Sequence, residues 1–203
     1  MTHIRHGEKV FVMRRFLLIL ILTFSFQALT KADDIRDFEI EGISLGDSAL
    51  DYFTKNKIKK GLYPKSKKFA YSEHIFKNSK KYDNFRFHYK TKDKKIIIHG
   101  MSGGIFYENN INECYKKEIE IIRELESSFP SGKKYVQGKL KHPSDSTGKS
   151  FYTYTALNFD DGTISIECTD WSDKITSKKN WTDNLAIIVS TKELSHWISN
   201  DAR

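Results

Sequence analysis

From residue 69 onward, apolar and polar positions alternate with a period of two over several short stretches, and this pattern organises most of the chain. Phe69 and Tyr71 open one predicted strand. Phe85, Phe87 and Tyr89 line one face of the next, with Arg86, His88 and Lys90 on the other. A polar turn at 91–94 leads into a returning strand that starts at Lys95, runs through Ile96, Ile97, Ile98 and His99 and continues to Tyr107. Gly103 and Gly104 inside that strand predict a bulge or bend. Further on, Phe151, Thr153, Thr155, Leu157 and Phe159 alternate with Tyr152, Tyr154, Ala156 and Asn158. Asp160, Asp161 and Gly162 have the composition of a hairpin turn, and the return strand places Ile164, Ile166 and Cys168 on one face. Leu185, Ile187 and Val189 form a last strand.

Helical spacing is clearest from Asn110 or Asn112 to Phe129, where Ile111, Tyr115, Ile119, Ile122 and Leu125 share a face and Pro130 stops the helix. Cys114 and Ile121 lie on the neighbouring stripe. Two shorter helices are expected. One is capped near Ser48 and runs to about Lys59 with Leu50 and Phe53 inward. The other follows Ser190, Thr191, Lys192 and Glu193, which have capping-box spacing, and turns Leu194, Trp197 and Ile198 inward. A short first strand at 38–45 and polar loops at 137–150 and 172–180 complete the pattern. The order is roughly β-α-ββ-α-ββ-β-α, an α+β fold with a mainly antiparallel sheet and helices packed on one face. The two hairpin-then-helix segments suggest a duplication, without a residue-level repeat to support it.

Before residue 33 the pattern is of another kind. Arg14 and Arg15 precede an unbroken apolar run from Phe16 to Leu22 that extends to Phe26, and Ala32 then precedes Asp33 and Asp34. A basic start, a short apolar stretch and a small residue before an acidic one make a cleavable export signal over 1–32, with translation from Met13 as an alternative start and cleavage after Thr30 as a near alternative. A membrane span needs roughly 20 apolar residues, more than this run supplies. No cysteine stands near the cleavage region to carry a lipid. The mature product is therefore expected to be one soluble globular domain, 33–203, in the periplasm or secreted.

Charge changes meaning once the leader is set apart. The whole chain carries +8, but residues 1–32 hold five basic residues against one acid, which leaves +4 for the rest. Nucleic acid is disfavoured as a partner on that account. Lys55, Lys57, Lys59, Lys60, Lys65, Lys67 and Lys68 remain the densest basic run. They form a candidate surface for an envelope protein or an anionic envelope surface, with Tyr63, Tyr71 and Tyr82 nearby in sequence. Cys114 and Cys168 have one possible intramolecular pairing, and in an oxidising compartment a bridge worth roughly 2 to 4 kcal/mol is the default. A pair of buried free thiols is the alternative.

Chemical motifs are sparse. Gly100, Met101, Ser102, Gly103 and Gly104 satisfy the spacing of a nucleophile elbow, but the following Ile105, Phe106 and Tyr107 continue a strand where that motif needs a helix. His88 and His99 fall on one sheet face across a hairpin, beside Arg86 and without a third ligand. Trp171 and Trp181 bracket a polar loop and are expected to cap the core; Glu167, Asp170 and Asp173 are close in sequence only. No catalytic, cofactor or metal residue is assigned. Gly42 to Ser48 followed by an amphipathic helix is similar to the opening of small envelope proteins of the BamE type, although the cysteine that usually carries their lipid is missing here. The expected function is a non-enzymatic periplasmic binding or accessory module, with a small exported hydrolase as the second reading.

Overall fold

The computed structural model describes residues 34–63, 65–75, 81–108 and 110–202, so the predicted leader lies outside the described residues. Ala32–Arg203 form one compact unit. Its centre is an eight-stranded antiparallel sheet: β1 (Gly61–Leu62), β2 (Phe69–Ile75), β3 (Asn84–Lys90), β4 (Gly100–Phe106), β5 (Lys133–Lys141), β6 (Phe151–Asn158), β7 (Gly162–Asp170) and β8 (Asn184–Thr191). The strand order is β1-β2-β3-β4-β8-β7-β6-β5. Two four-stranded meanders thus meet at β4 and β8, where Met101 pairs with Val189 and Gly103 with Ile187. The fold is α+β with a mainly antiparallel sheet, as the periodicity implied.

The alternation assigns each side chain to a face. Phe85, Phe87, Met101, Ile164, Ile166, Leu185, Ile187 and Val189 are buried on the first face. The amphipathic helix α1 (Ile111–Ser128) packs there over β7 and β8, burying Cys114, Ile121 and Leu125. Its second turn carries Glu118, buried against Thr153, whose hydroxyl donates to the carboxylate at 2.8 Å and accepts from the Cys168 amide at 3.1 Å. Cys114 and Cys168 form a disulfide with both residues fully buried. Among the described residues no helix is long and apolar enough to cross a membrane.

Several predicted elements take another form. The expected strand at 38–45 turns back on itself, because Glu41 and Gly42 adopt φ of 54° and 76° and let Ile40 bridge to Ile43. The expected helix at 48–59 is two 3-10 turns, Ala49–Asp51 and Lys55–Lys57. Only Ala49, Phe53 and Ile58 turn toward the core in this segment, too few for a continuous helical stripe. The strand expected from residue 95 begins at Gly100, since Ile96 has φ 53° and 96–98 bond instead to residues 46–49. No bulge interrupts β4, whose pairing with β3 and β8 is continuous. Its glycines serve close approach: a Cβ at Gly103 would come within 2.5 Å of the Tyr82 ring, and one at Gly100 would meet Leu194.

Part of the 137–150 loop is β5, and part of the 172–180 loop is the short helix α2 (Asp173–Lys179) with Ile175 inward. The last helix, α3 (Lys192–Asn200), is capped by Thr191 rather than through the Ser190–Glu193 box. It crosses to the second face, where Leu194 and Trp197 pack with Phe69. The first face at that end is already filled, since Ile35 lies against Gly162 beneath the β8–α3 junction.

Candidate functional site

On the first face the two halves of the sheet have different covers. α1 lies over β7 and β8, and the irregular segment starts with Ile35 against Gly162 of β7 and carries Phe53 over Phe85 and Phe87 of β3. Between them, above the β4–β8 seam, runs a groove of about 820 Å³. Ile105 of β4 and Ile187 of β8 form its floor. Ile121, Leu125 and Phe129 form one wall; Phe38 and Tyr82 form the other. Phe38 and Phe129 approach at 6.1 Å between ring centroids. The rim carries both signs of charge, with Asp37, Glu39 and Glu124 against Lys81 and Lys117. Such a volume, apolar inside and charged outside, suits an amphiphile.

Ser102 and His88 lie on the second face, and the structure keeps the sequence candidates apart. Ser102 sits mid-strand between Arg86 and Ile188. His88 is committed elsewhere: the Gly100 carbonyl takes one ring nitrogen, and Nε2 lies 2.7 Å from the Tyr63 hydroxyl, which donates to it. His99 is edge-on to Phe69 at 5.4 Å. Among the described residues no three His, Cys, Asp or Glu side chains come together as a metal-holding group. Glu167 faces the second side of β7, Asp170 pairs with Lys139 at 3.2 Å, and Asp173 is exposed on α2. Trp171 and Trp181 do not cap the core. They form a partly exposed cluster with His142, at 4.6 Å from one another and 4.2 Å from Trp171 to the imidazole.

Burial and the nearby Arg86 guanidinium push the His88 imidazole down to about 4. A histidine depressed in the folded chain gives stability that is complete above its unfolded value of about 6.5 and is lost as pH falls from there to about 4. His74 and His99 are shifted the same way, chiefly by burial. The lowered carboxylates Asp93, Asp145 and Glu193 act in a more acid range. Urea unfolding between pH 7 and 4.5 is expected to cost the native chain about 2 kcal/mol more than His88→Gln. Equal pH slopes would refute the assignment.

The lysines wrap the β1 edge of the first meander. Lys55 to Lys60 run from the second 3-10 turn to the β1 edge, and Lys65, Lys67 and Lys68 follow in the β1–β2 connection. Backbone bonds join Thr91 to Lys68 at 3.1 Å, which sets Lys92, Lys94 and Lys95 beside them. No family model, curated protein or solved structure matches the chain. The groove residues escaped the sequence reading because each is an ordinary core-type residue in its own element; only the divergence of the two covers brings them around a space.

Proposed function

We propose that this protein is an exported, non-enzymatic binding or accessory module of the cell envelope, and that it takes an apolar ligand in the groove above the β4–β8 seam. The groove carries the reading: Ile105 and Ile187 line its base, and Ile121, Leu125, Phe38 and Tyr82 offer apolar walls. The buried Cys114–Cys168 bridge supports export, since disulfides persist in oxidising compartments. The leader pattern supports it too. Apolar burial of an acyl chain or ring system contributes roughly 0.8 kcal/mol per methylene, enough for micromolar binding from a chain of moderate length.

The probe is dansyl-undecanoic acid, titrated into residues 32–203 with dansyl emission as readout. Emission rises and saturates with the native chain. Ser128→Trp, a change at an exposed position on the groove lining, weakens binding by about tenfold through occupancy of the mouth. No saturable emission, or the same affinity in Ser128→Trp, would overturn the groove as the site.

A further inference from the structure

We propose that segment 49–68 docks this protein on the surface of an anionic lipid bilayer, at a site independent of the groove. Seven lysines fall in this segment against a single acid, Asp51. Lys68 is paired with Glu193 at 3.1 Å, and no other lysine of the segment forms an ion pair among the described residues. Lysines less Asp51 and the Glu193 partner leave a local charge of +5. The segment exposes apolar groups as well: Leu50, Tyr52 and Leu62 are 39%, 44% and 46% exposed. Lysine interleaved with exposed Leu and Tyr is the chemistry of a surface that meets headgroups by charge and the acyl boundary by apolar burial.

Two further observations fit that use. The segment wraps the β1 edge and is anchored on both faces of the sheet, so its exposed side chains are displayed without a folding cost. Ala49 is buried, Phe53 and Ile58 pack on the core, and Tyr63 and Ser66 bond to His88 and Trp197. The basic surface also continues into the β3–β4 turn through the Thr91 contacts with Lys67 and Lys68. A hydrated polyanion would satisfy the lysines alone. It offers nothing to Leu50 and Leu62, and this decides for a bilayer over a soluble polymer or a nucleic acid.

Co-sedimentation of residues 32–203 with vesicles tests it, using phosphatidylcholine alone and phosphatidylcholine with about one third phosphatidylglycerol. Binding is expected only to the anionic vesicles, and it falls as salt is raised. Changing Lys55, Lys57, Lys59 and Lys60 to Gln weakens it at least about 50-fold. Leu50→Ser with Leu62→Ser weakens it about tenfold while leaving the salt dependence in place. All six positions are exposed, and an unchanged melting temperature separates lost docking from lost folding. Absence of vesicle binding, indifference to the lysine changes, or indifference to the leucine changes together with full competition by polyphosphate would each overturn the proposal. Dansyl-undecanoic acid binding is unaffected by either set of changes, so the outcome here stands apart from that of the groove.

Discussion

Replacing Cys114 and Cys168 by alanine lowers the unfolding free energy by about 4 kcal/mol and the melting temperature by about 10 °C. The sulfurs join residues 54 apart in sequence, so the bridge removes a long loop's worth of freedom from the unfolded chain. In the folded chain it ties the first turn of α1 to the apolar file of β7, where Ile164 and Ile166 precede Cys168. Both cysteines are fully buried, so a reductant needs a denaturant to reach them. Alanine suits the test because serine would bury two hydroxyls without partners. Ile121 and Leu125 stand about two to three turns further along the same helix, so the double variant also loosens the groove wall and binds dansyl-undecanoic acid more weakly. A melting temperature unmoved by the double substitution would show that packing alone holds α1 to the sheet.

That bridge was legible because two independent patterns met in it: a period-two strand put Cys168 in an apolar file, and a helical stripe put Cys114 at the margin of a buried face. The β6–β7 hairpin and the extent of α1 were legible for the same reason, each being long enough for its period to repeat, but α1 turns Cys114, Glu118, Ile121 and Leu125 inward and leaves Ile119 51% exposed, outside the face expected to be buried. β5 was not. It is an edge strand, and its lysines at 133, 134, 139 and 141 are the kind of residue that keeps an exposed edge from pairing with another chain, so they erase the alternation that marks inner strands. Gly138, at φ 61° beside a shift in register, adds the composition of a loop. The segment at 48–59 failed in the opposite direction. Ser48 does cap a turn, accepting from the Leu50 amide at 3.2 Å, but only Ala49, Phe53 and Ile58 pack on the core, too few for a helical stripe to hold.

The groove illustrates a second limit. Gly103 predicts a bulge or bend, yet its missing side chain instead lets Tyr82 lie against β4 and become a wall of the groove. A sequence can show that a glycine is needed in a strand but not which ring uses the space. The lysine run was visible from composition, while its interleaving with exposed Leu50, Tyr52 and Leu62 depended on which side of an irregular segment faced the core. Periodicity cannot supply that where no helix or strand sets a period.

Trp197→Ala costs about 3 to 5 kcal/mol and acts first at the second face of the sheet. Trp197 is 1% exposed and fills the space between α3 and the start of β2, with its ring 5.1 Å from Phe69 and 4.8 Å from Tyr63. Its Nε1 donates to the Ser66 hydroxyl at 3.0 Å. One side chain therefore secures both the C-terminal helix and the connection that carries Lys65, Lys67 and Lys68. Truncation leaves a cavity among Phe69, Leu194 and Ala202. Tyr63 loses an edge contact and keeps the hydrogen bond to His88 and its contact with Tyr71. Limited trypsin digestion is expected to cut Trp197→Ala faster within 59–68 than elsewhere, while α1 and the groove side stay protected. Trp197→Phe keeps the apolar packing and loses the Ser66 bond, so it should fall between the two. Uniform cleavage across the chain would mean that α3 and the sheet unfold as one unit, and the local anchoring of the lysine segment by Trp197 would then be wrong.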